Sequence, residues 1–364
     1  MSDTFKIATF NVENLFRRAK VFTFQDKKDG DEIFAKIDHL QLQLENKVYD
    51  SEKILGLYNE LKGFIDINEV REKLFKRNRK LQIVGLKAKG RDDWGGFITF
   101  KTEDFRDITR KNTAKVVNSV RADIISLIEV ENKPTLDAFN SQFITRRYPY
   151  SMLIDAFDPR GIDVALLSRF EIRDIRTHMF EKVGSSRIFS RDCLEVTIKL
   201  QGNDFLYLFI NHFKSQGYGS GKENDAKRLR QAQRVSDIIK ERALDLTKDK
   251  VVVIGDLNAP PDSASLSPLM NMEELKDVLA LKIVKPEDRW TYHFDSNEQI
   301  DFILISEPLQ KVCKQAGVEL RGIFDVAKYS KGRVTAWPQV QNNGITASAS
   351  DHGAVWAEFE LTRN

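Results

Sequence analysis

Apolar residues along this chain fall into short dense runs, and several of those runs end on acidic, amide or imidazole side chains. Phe5 to Asn11 (FKIATFN) predicts a short buried strand. From about Asp31 to Arg79 the segment is charged and poor in proline, with Leu40, Leu44 and Val48, then Leu55, Tyr58, Leu61 and Ile65 at helical spacing. That spacing predicts two or three helices. Leu81 to Lys101 predicts a β-hairpin, LQIVGLKAK against FITFK, turning in GRDDWGG. Beyond it the elements alternate. Thr109 to Ala122 has the period of an amphipathic helix, whereas Asp123 to Glu129, Asp163 to Ser168, Cys193 to Leu200 and Phe205 to His212 predict strands. FLYLFIN is apolar on both faces, as a central strand of a covered sheet would be. Glu223 to Leu246 predicts a long charged helix, and Val251 to Gly255, Ile300 to Ile305 and Ala354 to Leu361 predict further strands. No internal repeat or low-complexity linker interrupts the pattern. The segment 31–101 reads as a helical and hairpin insertion in one domain spanning 1–364, because strands flank it and the candidate chemistry needs both flanks.

Composition adds limits rather than an identity. Apolar residues make up 41% of the 364 residues, enough for a large core, and the 24 phenylalanines suit a wide sheet-on-sheet interior. A net charge of +3, from 57 basic and 54 acidic residues, is too small to signal a nucleic-acid partner by itself. Two distant cysteines, Cys193 and Cys313, exclude a disulfide scaffold and a cysteine metal site. The start, MSDTFKIATF, has no basic region followed by an apolar run. No run approaches the roughly 18 apolar residues of a membrane helix. The expectation is a cytoplasmic, monomeric enzyme with no membrane partner.

Six signatures carry the chemistry. FNVEN supplies Asn11 and Glu13, LIEVEN supplies Glu129, INHFKS supplies His212, IGDLNAPPD supplies Asp256 and Asn258, SDHGAV supplies Asp351 and His352, and QIDFIL supplies Asp301. A single polar residue after an apolar run usually marks only a strand meeting water. Six such ends, bringing carboxylates, amides and two imidazoles together, are harder to explain as solvated edges. Hard oxygen ligands suit Mg²⁺, which binds through one or two carboxylates and leaves positions for phosphate oxygens. Imidazoles near such an ion suit water activation and leaving-group protonation. Asp256 and Asn258, two apart on extended chain, point to one side, so one can hold water while the other donates to a phosphoryl oxygen. Asp351 and His352, as neighbours, face different partners, and Asp301 is the natural carboxylate to orient His352.

In order, FNVENLF, DIISLIEVEN, RGIDVALLS, NHFKSQG, GDLNAPPDS, QIDFILIS and SDHGAV closely resemble the endonuclease/exonuclease/phosphatase superfamily. The resemblance runs from Phe5 to Phe359, leaving out mainly the insertion. It implies a four-layered α/β sandwich, two packed β-sheets flanked by helices. It implies a metal site at Asn11 and Glu129 with Asp351 assisting, and a water positioned by Asp256 and Asn258. His352, oriented by Asp301, is then base or transition-state stabiliser, and His212 the acid toward the leaving group. A tyrosine typical of abasic-site enzymes is replaced here by Arg160-Gly161-Ile162-Asp163. NHFKSQGYGSG followed by DAKRLRQAQR resembles the bacterial extracellular nuclease branch, which is secreted, whereas this chain shows no export signal.

Several candidates rest on less. Asp163 is a candidate to orient His212, and Arg160, Lys214 and Asn211 are candidate substrate contacts. Lys214, Lys222, Lys227, Arg228 and Arg230 form either a phosphate-tracking patch or a solvated helix face. Trp94, beside Lys87, Lys89 and Arg91, either stacks on a base or packs as core. The function expected is a Mg²⁺- or Mn²⁺-dependent endonuclease of low sequence specificity acting on DNA. The alternatives are a sphingomyelinase-like or inositol-phosphate phosphoesterase, and a nucleic-acid-binding protein without catalysis.

Overall fold

Side-chain alternation decides the architecture. In the computed structural model, which describes residues 4–15, 27–101, 107–158, 160–202, 204–217 and 220–361, twelve strands form two six-stranded sheets. In chain order they are β1 (Thr4–Leu15), β2 (Ile124–Val130), β3 (Tyr150–Leu153), β4 (Asp163–Ser168), β5 (Glu171–Arg176) and β6 (Cys193–Lys199). There follow β7 (Phe205–His212), β8 (Lys250–Asp256), β9 (Lys276–Asp277), β10 (Asp301–Ile305), β11 (Cys313–Glu319) and β12 (Ala354–Glu360). The first sheet runs β11-β12-β1-β2-β4-β3 and the second β9-β10-β8-β7-β6-β5.

Phe5 and Ile7 of β1 join Ile124, Ile128, Val164 and Leu166 in one apolar layer with Leu206, Leu208, Ile210, Val252, Ile254 and Ile303 of the second sheet. Successive strand residues face opposite ways, so Ala8 and Phe10 point outward. They pack there with Val116, Val117 and Val120 of helix Asp107–Val120 and with Leu136 and Phe139 of helix Lys133–Gln142. On the other flank Phe209, Val251, Val253 and Phe302 receive Ala232, Val235, Ile238 and Ile239 of helix Gly221–Glu241. The result is helix, sheet, sheet, helix, the four-layered sandwich that the family resemblance implies. Among the described residues no helix is long and apolar enough to cross a membrane.

The strands β1 and β2 are parallel, as are β7 and β8. Against them β12, β4 and β10 are antiparallel. The C-terminal ends of β1, β2, β7 and β8 therefore lie at the same rim as the starts of β4, β10 and β12. All six signatures sit at that rim.

Residues 1–16 and 106–364 make one compact unit and residues 17–105 another. The second holds helices Lys27–Leu44 and Ser51–Leu61, the latter capped by the Asp50 carboxylate accepting from the Lys53 N–H. Two helices are within the two or three expected; Ile65, placed there at helical spacing, instead opens the strand Ile65–Arg71, where Ile65 and Ile67 alternate at period two. The expected hairpin also changes partners. Gly95–Phe100 pairs with Ile65–Arg71, and Ile83–Leu86 pairs with Phe75–Arg77. GRDDWGG is no hairpin tip: Arg91 N–H donates to Asn46 O and Tyr49 N–H to Lys89 O. Trp94 is buried with Ile37, Leu40, Ile54 and Leu61, and its Nε1–H donates to Tyr49 Oη at 2.6 Å. It is core and does not stack on a base.

Candidate active site

The inward-facing parity of each strand runs on into the site. Phe5, Ile7 and Thr9 lead to Asn11; Leu206, Leu208 and Ile210 lead to His212; Val252 and Ile254 lead to Asp256; Ile305 and Ile303 lead back to Asp301. The apolar layer between the sheets thus ends in a buried polar layer. Registers bring these side chains together, with His212 opposite Asp256 and Asp256 opposite Asp301.

Glu129 arrives by another route. Ile125 and Leu127 face the outer helices, and simple alternation would send Glu129 after them. A break in strand register at this point, with Glu129 at φ 70°, re-aims it into the cavity. Asn258 (φ 53°) likewise leaves the extended path, so its place beside Asp256 owes nothing to strand alternation. Its backbone N–H donates to Asp256 Oδ1 at 2.8 Å, and its Nδ2 donates to Phe213 O at 3.2 Å. Gly255 permits this bend: it has φ 129°, and a Cβ there would lie 2.0 Å from Asn211 O.

These residues line a cavity of about 650 Å³ that contains Asn11, Glu129, His212, Asp256, Asn258, Asp351 and His352. Asn11 Nδ2 donates to Asp256 Oδ2 at 3.1 Å, and the Glu13 N–H donates to Asn11 Oδ1 at 3.1 Å. His352 Nδ1 lies 2.8 Å from Asp301 Oδ2. Thr291 Oγ1 donates to the same oxygen at 2.7 Å and accepts the N–H groups of Ile300 and Asp301. Ser350 Oγ donates to Asn11 O at 2.7 Å and accepts the His352 N–H at 2.9 Å, tying the SDHG turn to β1. His212 Nε2 stands 3.6 Å from Asp256 Oδ2 and 3.8 Å from Glu129 Oε1.

Burial sets the protonation states. It pushes Glu129 and Asp256 above the usual carboxylate range, with the Asp301 charge adding to the effect on Asp256. Glu13 is pushed up to about 7 by burial and by Asp351. The two imidazoles diverge. Burial opposes charge on both, but Asp301 and Asp351 raise His352 well above its ordinary value. His212 has no such carboxylate bond; burial and Arg191 hold it well below. His212 is therefore neutral and His352 charged at neutral pH.

A hard cation fits this set. Glu129 carries no hydrogen bond to its carboxylate among the described residues, and a cation would relieve the burial that now opposes its charge. Ligand atoms of Asp256, Asp301 and His352 also lie within 4.8 Å of one another. Asp301 Oδ2 and His352 Nδ1 already satisfy each other there, so that trio is the poorer cage. Asn11, Glu129, Asp351 and Asp256 all line the cavity and offer oxygen ligands of the kind a hard cation takes.

Other expected site residues lie elsewhere. Asn211 is fully buried, on the face of β7 opposite His212, with Nδ2 donating to Phe209 O; it cannot touch substrate. Asp163 accepts from the Ala156 N–H at 2.9 Å, whereas His212 Nδ1 has no partner among the described residues. Asp163 therefore holds the loop before β4 rather than orienting His212. Lys214 Nζ donates to Gly217 O at 2.8 Å, within its own loop. Arg228 is buried, pairs with Asp225 and donates to Lys214 O, which removes it from the phosphate-tracking patch. Asp351 and His352 do not diverge, since His352 Nε2 is 3.8 Å from Asp351 Oδ1. Arg160 lines the cavity and pairs with Asp158. Tyr218 and Gly219 of NHFKSQGYGSG lie outside the described residues.

Two contributors escape sequence reasoning. Thr291 braces Asp301 from ten residues away with no strand-end signature. Arg191, buried, pairs with Asp158 at 2.8 Å and donates to Phe213 O at 2.7 Å, the carbonyl that also receives Asn258. FSRDCLEV could have flagged it only as an arginine beside a buried strand.

Two face-to-face sheets with an acid, amide and imidazole set at one rim define a sandwich of the phosphoesterase class. A model of the Endonuclease/Exonuclease/phosphatase family matches residues 89–358, and the chain belongs to that family. The match starts after β1, so Asn11 lies outside it and joins the site through Asp256. Enzymes of this family are phosphoesterases, generally dependent on a divalent metal. Among solved structures the chain is similar to an endonuclease/exonuclease/phosphatase family protein from Bacteroides thetaiotaomicron, at 14% identity and a TM-score of 0.53, covering 99% of this chain and 98% of that one. It is also similar to a mannosyl-6-phosphatase from the same organism, at 17% identity and a TM-score of 0.50, covering 68% and 89%. TDP2 from C. elegans follows at 18% identity and a TM-score of 0.50, covering 71% of each chain. At these identities the likeness extends to the fold alone. No curated protein matches the chain.

Proposed function

We propose that the protein is a Mg²⁺- or Mn²⁺-dependent phosphodiesterase acting on nucleic acid, with DNA as its substrate and little sequence preference. The observation that supports this best is the pair of buried histidines, His212 neutral and His352 charged, opening onto one acidic cavity. A phosphodiester needs positive charge at its non-bridging oxygens and a proton acceptor at the attacking water.

In this reading Asn11, Glu129 and Asp351 hold the ion. When bound, it polarises the phosphoryl oxygens as a Lewis acid. Asp256, made more basic by its burial, takes as the ionised carboxylate the proton of a water positioned with Asn258 and is left as the carboxylic acid. His352, kept charged and oriented by Asp301, donates to a phosphoryl oxygen as negative charge builds. His212, being neutral, suits a hydrogen bond to substrate at the start of the reaction better than immediate proton donation. Arg160 at the cavity wall suits a flanking phosphate.

The test is nicking of supercoiled plasmid by the wild type and by His352→Ala, with Mg²⁺ or with EDTA. Metal-dependent nicking that the substitution abolishes is expected. No nicking, together with release of phosphate from a sugar phosphate or of headgroup from sphingomyelin, would move the substrate to another phosphoester class.

A further inference from the structure

Basic and acidic residues nearly balance over the whole chain, 57 against 54, yet between Arg71 and Arg91 nine basic residues face one acidic residue, Glu72. This stretch contains the antiparallel ribbon Phe75–Arg77 with Ile83–Leu86. Part of its charge is spent internally. Lys73 and Arg77 pair with Glu69, Lys87 with Glu72, and Arg91 with Glu45. Lys76, Arg79 and Lys80 are exposed and make no ion pair among the described residues.

The tip that carries Arg79 and Lys80 is held in one shape. Asn78 Oδ1 accepts the N–H groups of Lys80 and Gln82, Asn78 Nδ2 donates to Gln82 Oε1 at 2.8 Å, and the Asn78 N–H donates to Gln82 O. Phe75, behind the tip, is buried against the core of its unit. A rigid ribbon ending in unneutralised cations loses little order when it meets a row of phosphates.

We infer that this ribbon is a binding element for a nucleic-acid backbone, with Lys76, Arg79 and Lys80 supplying the phosphate contacts. The substrate class rests on the nuclease reading; the charge and shape of the ribbon do not. An anionic membrane is the lesser fit, because only two aliphatic side chains, Leu81 and Val84, stand exposed on it. That is too little apolar surface to anchor at an interface.

The test uses the full chain in EDTA and a short fluorescein-labelled DNA duplex, titrated by anisotropy across a salt series. The combined variant Lys76→Gln, Arg79→Gln, Lys80→Gln is expected to lose at least about tenfold in affinity at about 50 mM salt. The slope of log K against log salt falls by up to about three, one for each phosphate contact removed. Removing the same charge at Lys182, Lys285 and Lys328 leaves affinity and slope unchanged, and Lys76→Arg with Lys80→Arg retains binding. Metal-supported hydrolysis of bis(p-nitrophenyl) phosphate is unaltered in the triple variant. Equal loss in the control variant, an unchanged slope, or lost binding to phosphatidylserine vesicles with duplex binding intact would each overturn the inference. A wild type that hydrolyses no phosphodiester would sink the nuclease reading, while the duplex titration still decides the ribbon.

Discussion

Replacing Asp301 by Asn removes the largest of the interactions that keep His352 charged. Asp301 Oδ2 accepts from His352 Nδ1 at 2.8 Å and from Thr291 Oγ1 at 2.7 Å, while Oδ1 is buried without a partner. An Asn that keeps its oxygen toward His352 must put an NH₂ group in that empty place, and the carboxylate charge is gone either way. Hydrogen bonds to charged groups contribute about 1.5–3 kcal/mol, roughly a ten- to hundredfold change in an equilibrium or rate. The expected outcome is therefore a fall of about that size in kcat for bis(p-nitrophenyl) phosphate, at saturating Mg²⁺, with KM changed much less. His352, which Asp301 holds well above its ordinary value, should lose its proton at lower pH, so the alkaline limb of the profile moves toward neutrality. Urea unfolding run in parallel separates this from loss of fold. A variant that folds and keeps kcat within about threefold, with an unmoved alkaline limb, would refute the role given to the pair.

Two further predictions concern stability. Burial pushes Asp163 up to about 7 from its ordinary 3.8, so the native state holds a proton that the unfolded chain releases earlier. Stability then falls as pH rises from about 4 to about 7, by about 4 kcal/mol at most. Asp163→Asn keeps the oxygen that receives the Ala156 N–H. It should match wild type near pH 4, become the more stable protein as pH rises, and reach its full advantage above pH 7. Urea midpoints at intervals across that range check the sign, and a constant difference between the two proteins would count against it. Gly255→Ala places a Cβ 2.0 Å from Asn211 O at φ 129°. It should cost about 3 kcal/mol or more, read as a lower urea midpoint, together with loss of hydrolysis as the Asp256 turn shifts.

What the sequence could reveal depended on whether a residue obeyed the period of its strand. Asn11, His212, Asp256 and Asp301 continue the inward parity of their strands, so an apolar run ending in a polar residue was enough to find them. Strands covered on both faces, such as Phe205–His212, announced themselves in the same way. β11 did not, because CKQAGVE lies at a sheet edge and is mostly half-exposed or exposed. Glu129 and Asn258 entered the list through their motifs, yet they reach the cavity only because a positive φ breaks the period. Asn211 shows the converse: beside His212 in sequence, it was expected to touch substrate, but strict alternation turns it to the other face. Thr291 and Arg191 bind through partners distant in sequence, Asp301 for one and Phe213 O and Asp158 for the other. No local pattern encodes such a brace. The candidate site is thus legible where secondary structure alone aims the side chain, and hidden where a bulge, a turn or a buried counter-ion aims it. These hidden supports are the positions at which substitution tests the proposed chemistry most sharply, since they alter how His352 and Asn258 are held without removing either.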